Sequence, residues 1–183
     1  MKKKRLQIGG EILRDGWEIC GPRPGGQVQQ IGELTDLSRF ADESFSEILA
    51  CQVVQRLDHR IELDAALREW SRVLEPGGRV CISVPDLDSL ARLFLDRERL
   101  SAKDRFQVMR IMFGGHVQPR DWHRVGLNEE FLASYLIAAG YVNVRRVESF
   151  GPLAGDDLLV DTSALEFRGV PVGLNVIADK PAD

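Results

Sequence analysis

Apolar residues along this chain recur in two rhythms: short runs with a period near two, and longer stretches with a period near 3.6. Leu6-Gln7-Ile8 predicts a short strand ending at Gly9-Gly10, Trp17 to Cys20 a second, and Gln27 to Ile31 a weaker third. Ile48-Leu49-Ala50-Cys51, an apolar run after the acidic Asp42-Glu43 turn, predicts a buried strand. Ile61, Leu67, Trp70, Val73 and Leu74 then mark one face of a helix that Pro76-Gly77-Gly78 stops. Arg79 to Val84 predicts a strand ended by Pro85, after which Asp86 caps a helix with Leu87, Leu90, Ala91, Phe94 and Leu95 on one face. Ser101 with Asp104 forms a capping box for a helix that Gly114-Gly115 terminates. Asn128 caps a helix carrying Phe131, Leu132, Tyr135, Leu136 and Ala139, with Gly140 as its C-terminal glycine. Val142 to Phe150 and Leu174 to Ala178 predict two closing strands.

Short apolar strands alternating with helices predict an α/β, doubly wound, mostly parallel sheet, with the two late strands as an antiparallel edge hairpin. The first crossover helix is expected to be shortened or missing, because so little chain separates Ile8 from Trp17. In such sheets ligands bind outside the carboxyl ends of the strands, near the point where strand order reverses. That gathers Gly9-Gly10, Glu33, Cys51-Gln52 and Val84-Pro85-Asp86 around one crevice. No repeat or low-complexity tract divides the chain, so residues 1–183 are expected to form one domain.

Composition narrows the picture. With 24 Lys and Arg against 28 Asp and Glu, the net charge of −4 lacks the basic field that nucleic-acid binding needs. No apolar run reaches the length of a membrane span, and no apolar segment follows Lys2-Lys3-Lys4-Arg5 as in a signal peptide. Three cysteines without a C-x-x-C pair predict reduced thiols, hence a cytoplasmic protein with neither nucleic acid nor membrane as partner.

Several segments occur in a telling order. They are Gly9-Gly10, Gly32-Glu33-Leu34, Phe45-Ser46-Glu47-Ile48, Val53 to Leu57, Arg72-Val73-Leu74-Glu75-Pro76-Gly77-Gly78 and Val84-Pro85-Asp86-Leu87. This order and spacing, nearly the whole length of the chain, resembles the class I S-adenosylmethionine-dependent methyltransferases, with a Rossmann-like fold. The later Phe113-Gly114-Gly115-His116, Asp121-Trp122-His123 and Leu174-Asn175-Val176 are similar to a compact bacterial branch of that family. The resemblance implies S-adenosyl-L-methionine as cofactor and methyl transfer to a small-molecule or glycan-like acceptor. The alternative is a catalytically inactive, methyltransferase-like binding module.

The resemblance also implies the cofactor-binding residues: Gly9, Gly10 and Glu11 in the first loop, Glu33 and Leu34 beside the adenine, and Gln52 beside the methionyl part. For Gly9-Gly10 taken alone, a plain strand-to-loop turn is an equal reading, and for Glu33 a turn-surface acid is another. This chain departs from the family at four places. Gln7 replaces an acid, Glu11 stands where a glycine is usual, Ile19-Cys20-Gly21-Pro22 lacks the ribose-binding carboxylate, and Gln55-Arg56 replaces Glu-His. Glu11 is the nearest substitute for the missing carboxylate. The residues expected to be catalytic, His116, Asp121 and His123, lie in one loop, where a carboxylate can orient an imidazole as general base. A structural polar loop and a fragment of a metal site are the other readings of those residues.

Overall fold

The computed structural model describes residues 4–9, 16–21, 30–31, 34–117, 121–150 and 165–183. Its elements run in the order β1 Arg5–Ile8, β2 Trp17–Gly21, β3 Gln30–Ile31, β4 Phe45–Cys51, α1 Glu62–Val73, β5 Leu74–Pro85, α2 Leu87–Leu95, α3 Ala102–Phe113, α4 Glu129–Ala138, β6 Val142–Val147, β7 Glu166–Phe167, β8 Val170–Pro171 and β9 Gly173–Asp179. A single 3-10 turn, Val54–Arg56, follows β4.

Seven strands form one sheet in the order β3-β2-β1-β4-β5-β9-β6. The pairs β1–β2, β2–β3, β1–β4 and β4–β5 are parallel, whereas β9 runs antiparallel to both β5 and β6. The doubly wound, mostly parallel sheet matches the sequence expectation, as does the antiparallel pairing of the two late strands, of which β9 alone runs against the rest. Only eight residues, 9–16, separate β1 from β2, and residues 10–15, where the expected short crossover falls, lie outside the described residues.

Alternating side chains give the sheet two apolar faces. On one, Leu6, Ile8, Ile48, Ala50, Val80, Ile82 and Val176 meet Leu63, Leu67 and Trp70 of α1 and Leu132 and Leu136 of α4. On the other, Trp17, Leu49, Cys81 and Ile177 form a smaller cluster. Residues 80–85 of β5 are buried without a break, as expected of a central strand covered on both sides. A third cluster holds α2 and α3 together through Leu90, Leu93, Leu100 and Val108, with Val172 packed against them.

The local signals placed the caps correctly. Asp86 accepts from the Asp88 amide, Ser101 and Asp104 bond reciprocally, and Asn128 accepts from the Phe131 amide. The buried faces differ from the periodicity in four places. Ile61 precedes the first turn of α1 and is 74% exposed, Leu95 is 70% exposed, and Phe94 and Phe131 are also exposed. Of α2 only the strip around Leu90 and Leu93 is buried, against Leu100, Val108 and Val172. Pro76-Gly77-Gly78 does not sit in a loop after a helix stop: the helix ends at Val73 and β5 already runs from Leu74. At Gly78 a Cβ would lie 2.7 Å from the Glu75 carbonyl oxygen, so glycine lets the strand begin this tightly.

The cysteines are free thiols, as expected. Cys20 and Cys81 are buried, and burial pushes both thiols up, away from the reactive thiolate. Among the described residues no helix is long and apolar enough to cross a membrane.

Candidate functional site

Strand order reverses between β1 and β4, which opens the crevice expected at their carboxyl ends. Gly9 leaves β1 with φ +79°, and its amide donates to the Cys20 carbonyl over 2.7 Å. A Cβ there would come within 2.6 Å of Val53 Cγ1. Close approach to Val53, as well as the left-handed backbone, therefore requires glycine at position 9. Gly10, Glu11 and Glu33 lie outside the described residues.

At the end of β2, Cys20 accepts a hydrogen bond from Arg39 Nη2 at 2.7 Å. Glu18, the nearest acid in the strand, pairs with Lys4 at 3.2 Å instead. Leu34 is buried, and its carbonyl accepts from Trp70 Nε1 at 2.8 Å. Arg72 holds the following segment, donating to the carbonyls of Leu37 and Phe40 while it pairs with Glu69. The Arg72-to-Gly78 motif thus carries a structural role visible only in three dimensions: its arginine clamps residues 37–42 onto α1.

Gln52, just beyond β4, has φ +55°, and its amide N–H donates to the Ser83 carbonyl at 2.8 Å. Its side-chain Oε1 accepts from Gln55 Nε2 at 2.9 Å. The outer ends of this amide pair, Gln52 Nε2 and Gln55 Oε1, are buried without a partner, as are Gln7 Oε1 and Arg56 Nε. Four of the six such side-chain atoms among the described residues therefore belong to β1 and to residues 52–56. Buried polar groups are nearly always satisfied, so this concentration marks a place built for a ligand or ordered water.

The backbone carbonyl of Gln55 accepts from the amides of Arg124 and Val125, which ties the 3-10 turn to the histidine loop. His123 donates from its backbone amide to Phe113, and its ring Nδ1 lies 3.3 Å from the Met112 carbonyl. A carbonyl can only accept, so Nδ1 carries the proton and Nε2 keeps its lone pair. Burial pushes the ring's pKa down; the Arg56 charge does the same, against the carbonyl bonds and Asp121, which raise it. With Gln55, Pro85, Leu87, Met112 and Val125, His123 lines a small cavity of about 10 Å³.

His116 stands apart from that cavity. It is exposed, its Nε2 meets the Phe113 carbonyl at 2.9 Å, and its ring packs on Trp122 with centroids 5.3 Å apart. The Asp121 carboxylate accepts from the Val117 amide at 3.4 Å. The expected imidazole–carboxylate bond is replaced: carbonyls of Met112 and Phe113 orient the two rings. Among the described residues no group of three or more His, Cys, Asp or Glu is arranged to hold a metal ion. Asp86, expected at the crevice, is buried and engaged by the Asp88 amide, Ser89 Oγ and Arg146 Nη2, each at 3.1 Å.

Gly114 makes this loop fold back on itself. It has φ +89°, and a Cβ would fall 1.9 Å from the Asp121 carbonyl oxygen. Gly114→Ala is expected to open the loop at a cost of roughly 1–3 kcal/mol. A lower melting temperature and faster amide exchange at His123 would register it; unchanged exchange would refute it.

Residues 20–82 match a family model described as a methyltransferase domain. A methyltransferase described as S-adenosylmethionine-dependent from Archaeoglobus fulgidus superposes with a TM-score of 0.61 at 14% identity, over 97% of this chain and 86% of its own. A second, from Methanosarcina mazei, gives 0.59 at 16% identity over 100% and 94%. The fold is that of the class I methyltransferases. A Bordetella parapertussis chain described as a possible exported protein shares it, with a TM-score of 0.57 and 16% identity over 98% of this chain. The present chain spans 62% of that protein's length. No curated protein matches the sequence.

The cofactor of the class I methyltransferase fold is S-adenosylmethionine. Around β1 and β4 the residues present fit it: Gly9 turns the chain beside Val53, and buried Gln52 Nε2 has a proton to donate and no acceptor. The end of β2 is unusual for this methyltransferase fold, with the Cys20 thiol and Arg39 guanidinium where a carboxylate would meet the ribose hydroxyls.

Proposed function

We propose that residues 1–183 act as a single domain that methylates a small-molecule or glycan-like acceptor. The observation that carries this reading is the cluster of unsatisfied buried polar atoms at the strand ends, next to an imidazole held neutral. Gly9, Gly10 and Glu11 hold the cofactor at the first loop, Glu33 and Leu34 border its adenine, and Gln52 donates to its methionyl end. When bound, S-adenosylmethionine supplies a methyl group already activated on a sulfonium. The protein's task is then chiefly to position the acceptor and receive its proton. His123 Nε2 is the acceptor of that proton, while His116 and Asp121 complete the loop that shapes the approach. Cys20 in place of a carboxylate favours the second reading, a methyltransferase-like binding module without turnover.

Calorimetric titration separates the two. Binding of both S-adenosylmethionine and its demethylated product is expected, with Glu11→Gln weakening it roughly tenfold or more, as loss of a charge-assisted bond does. No heat and no melting shift at millimolar ligand would overturn the enzyme reading.

A further inference from the structure

A second and much larger cavity, about 680 Å³, opens between α2, the start of α3 and the β7–β8 hairpin. That volume lies within the range of about 300–1,000 Å³ usual for small-molecule sites. Ser89, Arg92, Leu93 and Asp96 supply one wall of it, spaced three or four apart on one face of α2 and at its C-cap. Leu87 and Leu90 of the same helix line the small cavity beside His123 instead. The large cavity is therefore separate from the histidine site.

Its charges are arranged for an anion. Three arginines, Arg92, Arg99 and Arg168, and two aspartates, Asp96 and Asp104, line it. Both carboxylates are already engaged. Asp104 accepts from Arg168 Nη2 at 2.6 Å and from Ser101, and Asp96 accepts from the Arg99 amide at 3.0 Å. Arg168 and Gly169 form the hairpin turn with φ +53° and +77°, where asparagine followed by glycine is the ordinary choice. An arginine in that left-handed backbone carries its guanidinium onto Asp104 and closes one side of the cavity. The other two guanidiniums keep donors to spare. Arg99 Nε stands 3.9 Å from Asp96, too far for a hydrogen bond, and the Arg92 side chain has no partner among the described residues.

We propose that this cavity binds a phosphate monoester with an apolar body. A cation is repelled by the unpaired guanidiniums and finds both carboxylates occupied. A carboxylate has two oxygens, enough for one guanidinium fork, whereas a phosphate monoester brings three terminal oxygens and nearly two charges to Arg92 and Arg99 together. The apolar part of the ligand is set by Leu93, Leu100 and Val170, which line the same space. Val170 is 39% exposed, so an apolar body has surface there to cover. The site stands independently of the methyltransferase reading, since none of its residues belongs to the proposed cofactor or catalytic set.

The test titrates phenyl phosphate, benzoate, inorganic phosphate and benzylamine into the full chain at low salt by calorimetry. Phenyl phosphate is expected to bind saturably and at least tenfold tighter than each of the other three. Arg92→Gln, at an exposed position, should weaken phenyl phosphate about tenfold or more, with melting temperature and affinity for the demethylated cofactor product unchanged. Arg99→Gln is expected to show the same loss. Phenyl phosphate binding no tighter than inorganic phosphate or benzoate, or equally well to both variants, would overturn the proposal. Competition between phenyl phosphate and the cofactor product would also overturn it, by placing the ester in the crevice at the strand ends. Failure of the cofactor product to bind, with the phenyl phosphate preference intact, would overturn the methyltransferase reading and leave the phosphate site standing.

Discussion

Trp70→Ala is expected to melt about 10 °C below the parent protein. Trp70 has no solvent exposure, and it is the largest of the fully buried side chains. Truncating a buried tryptophan to alanine costs roughly 3–5 kcal/mol, and in a domain of this size each kcal/mol moves the midpoint by about 2–4 °C. The variant also leaves the Leu34 carbonyl without its donor. Trp70→Phe isolates that second effect: it keeps most of the volume and loses the 2.8 Å bond, for about 1–3 kcal/mol. Because Leu34 borders the proposed adenine position, Trp70→Phe should also weaken binding of the cofactor product more than its modest melting shift implies. A melting temperature for Trp70→Ala within 2 °C of the parent (less than about 1 kcal/mol) would show that α1 does not depend on this side chain.

His123→Ala is expected to lower the methyl-transfer rate by roughly 10²–10⁴-fold, the usual contribution of a positioned base. The pH dependence has a definite sign. Burial holds the folded ring's pKa below the ordinary histidine value of 6.5, so the neutral, proton-accepting form persists to lower pH than it does in a free histidine. The rate should climb with pH through that lowered value and level off at neutral pH. Stability follows the same group. The unfolded chain binds the proton more readily, so stability attributable to His123 is intact above 6.5 and is lost as pH falls through the folded value. Melting curves at pH 7.5 and pH 5.0 check this, about one unit above and 1.5 below the reference value. The parent should lose more on acidification than His123→Ala, and equal losses would assign the acid sensitivity elsewhere.

Local chemistry was the most legible part of the sequence. Asp86, Ser101 with Asp104, and Asn128 cap the helices they were expected to cap, because a cap depends on residues two or three apart. Periodicity named the helices but not the width of their buried faces. Ile61 and Leu95 are exposed because no neighbouring element reaches them, which no single-helix pattern can report. In the histidine loop, sequence proximity suggested Asp121 as the orienting group, yet the carbonyls of Met112 and Phe113 lie nearer the rings. Main-chain carbonyls are present at every residue, so their selection leaves no mark in the sequence. Gln55 was legible only as a departure from the methyltransferase pattern that the chain resembles. Its unpaired oxygen depends on the turn after β4, the partner Gln52 and the loop through Val125 all being in place.

The placement of β9 bears on how the protein is made. Among the described residues this strand is the last of nine in chain order, yet it is an interior member of the sheet, bonded to β5 along Arg79–Pro85 and to β6 on its other side. During synthesis, β5 and β6 leave the ribosome well before the strand that separates them. In that interval the apolar edge from Val80 to Val84 has no ladder partner, and such edges recruit other chains. The Ser83–Asn175 bond, 2.6 Å and buried, then fixes the register when β9 arrives. A ribosome-bound nascent chain stalled before Gly173 would consequently be the species most in need of a chaperone.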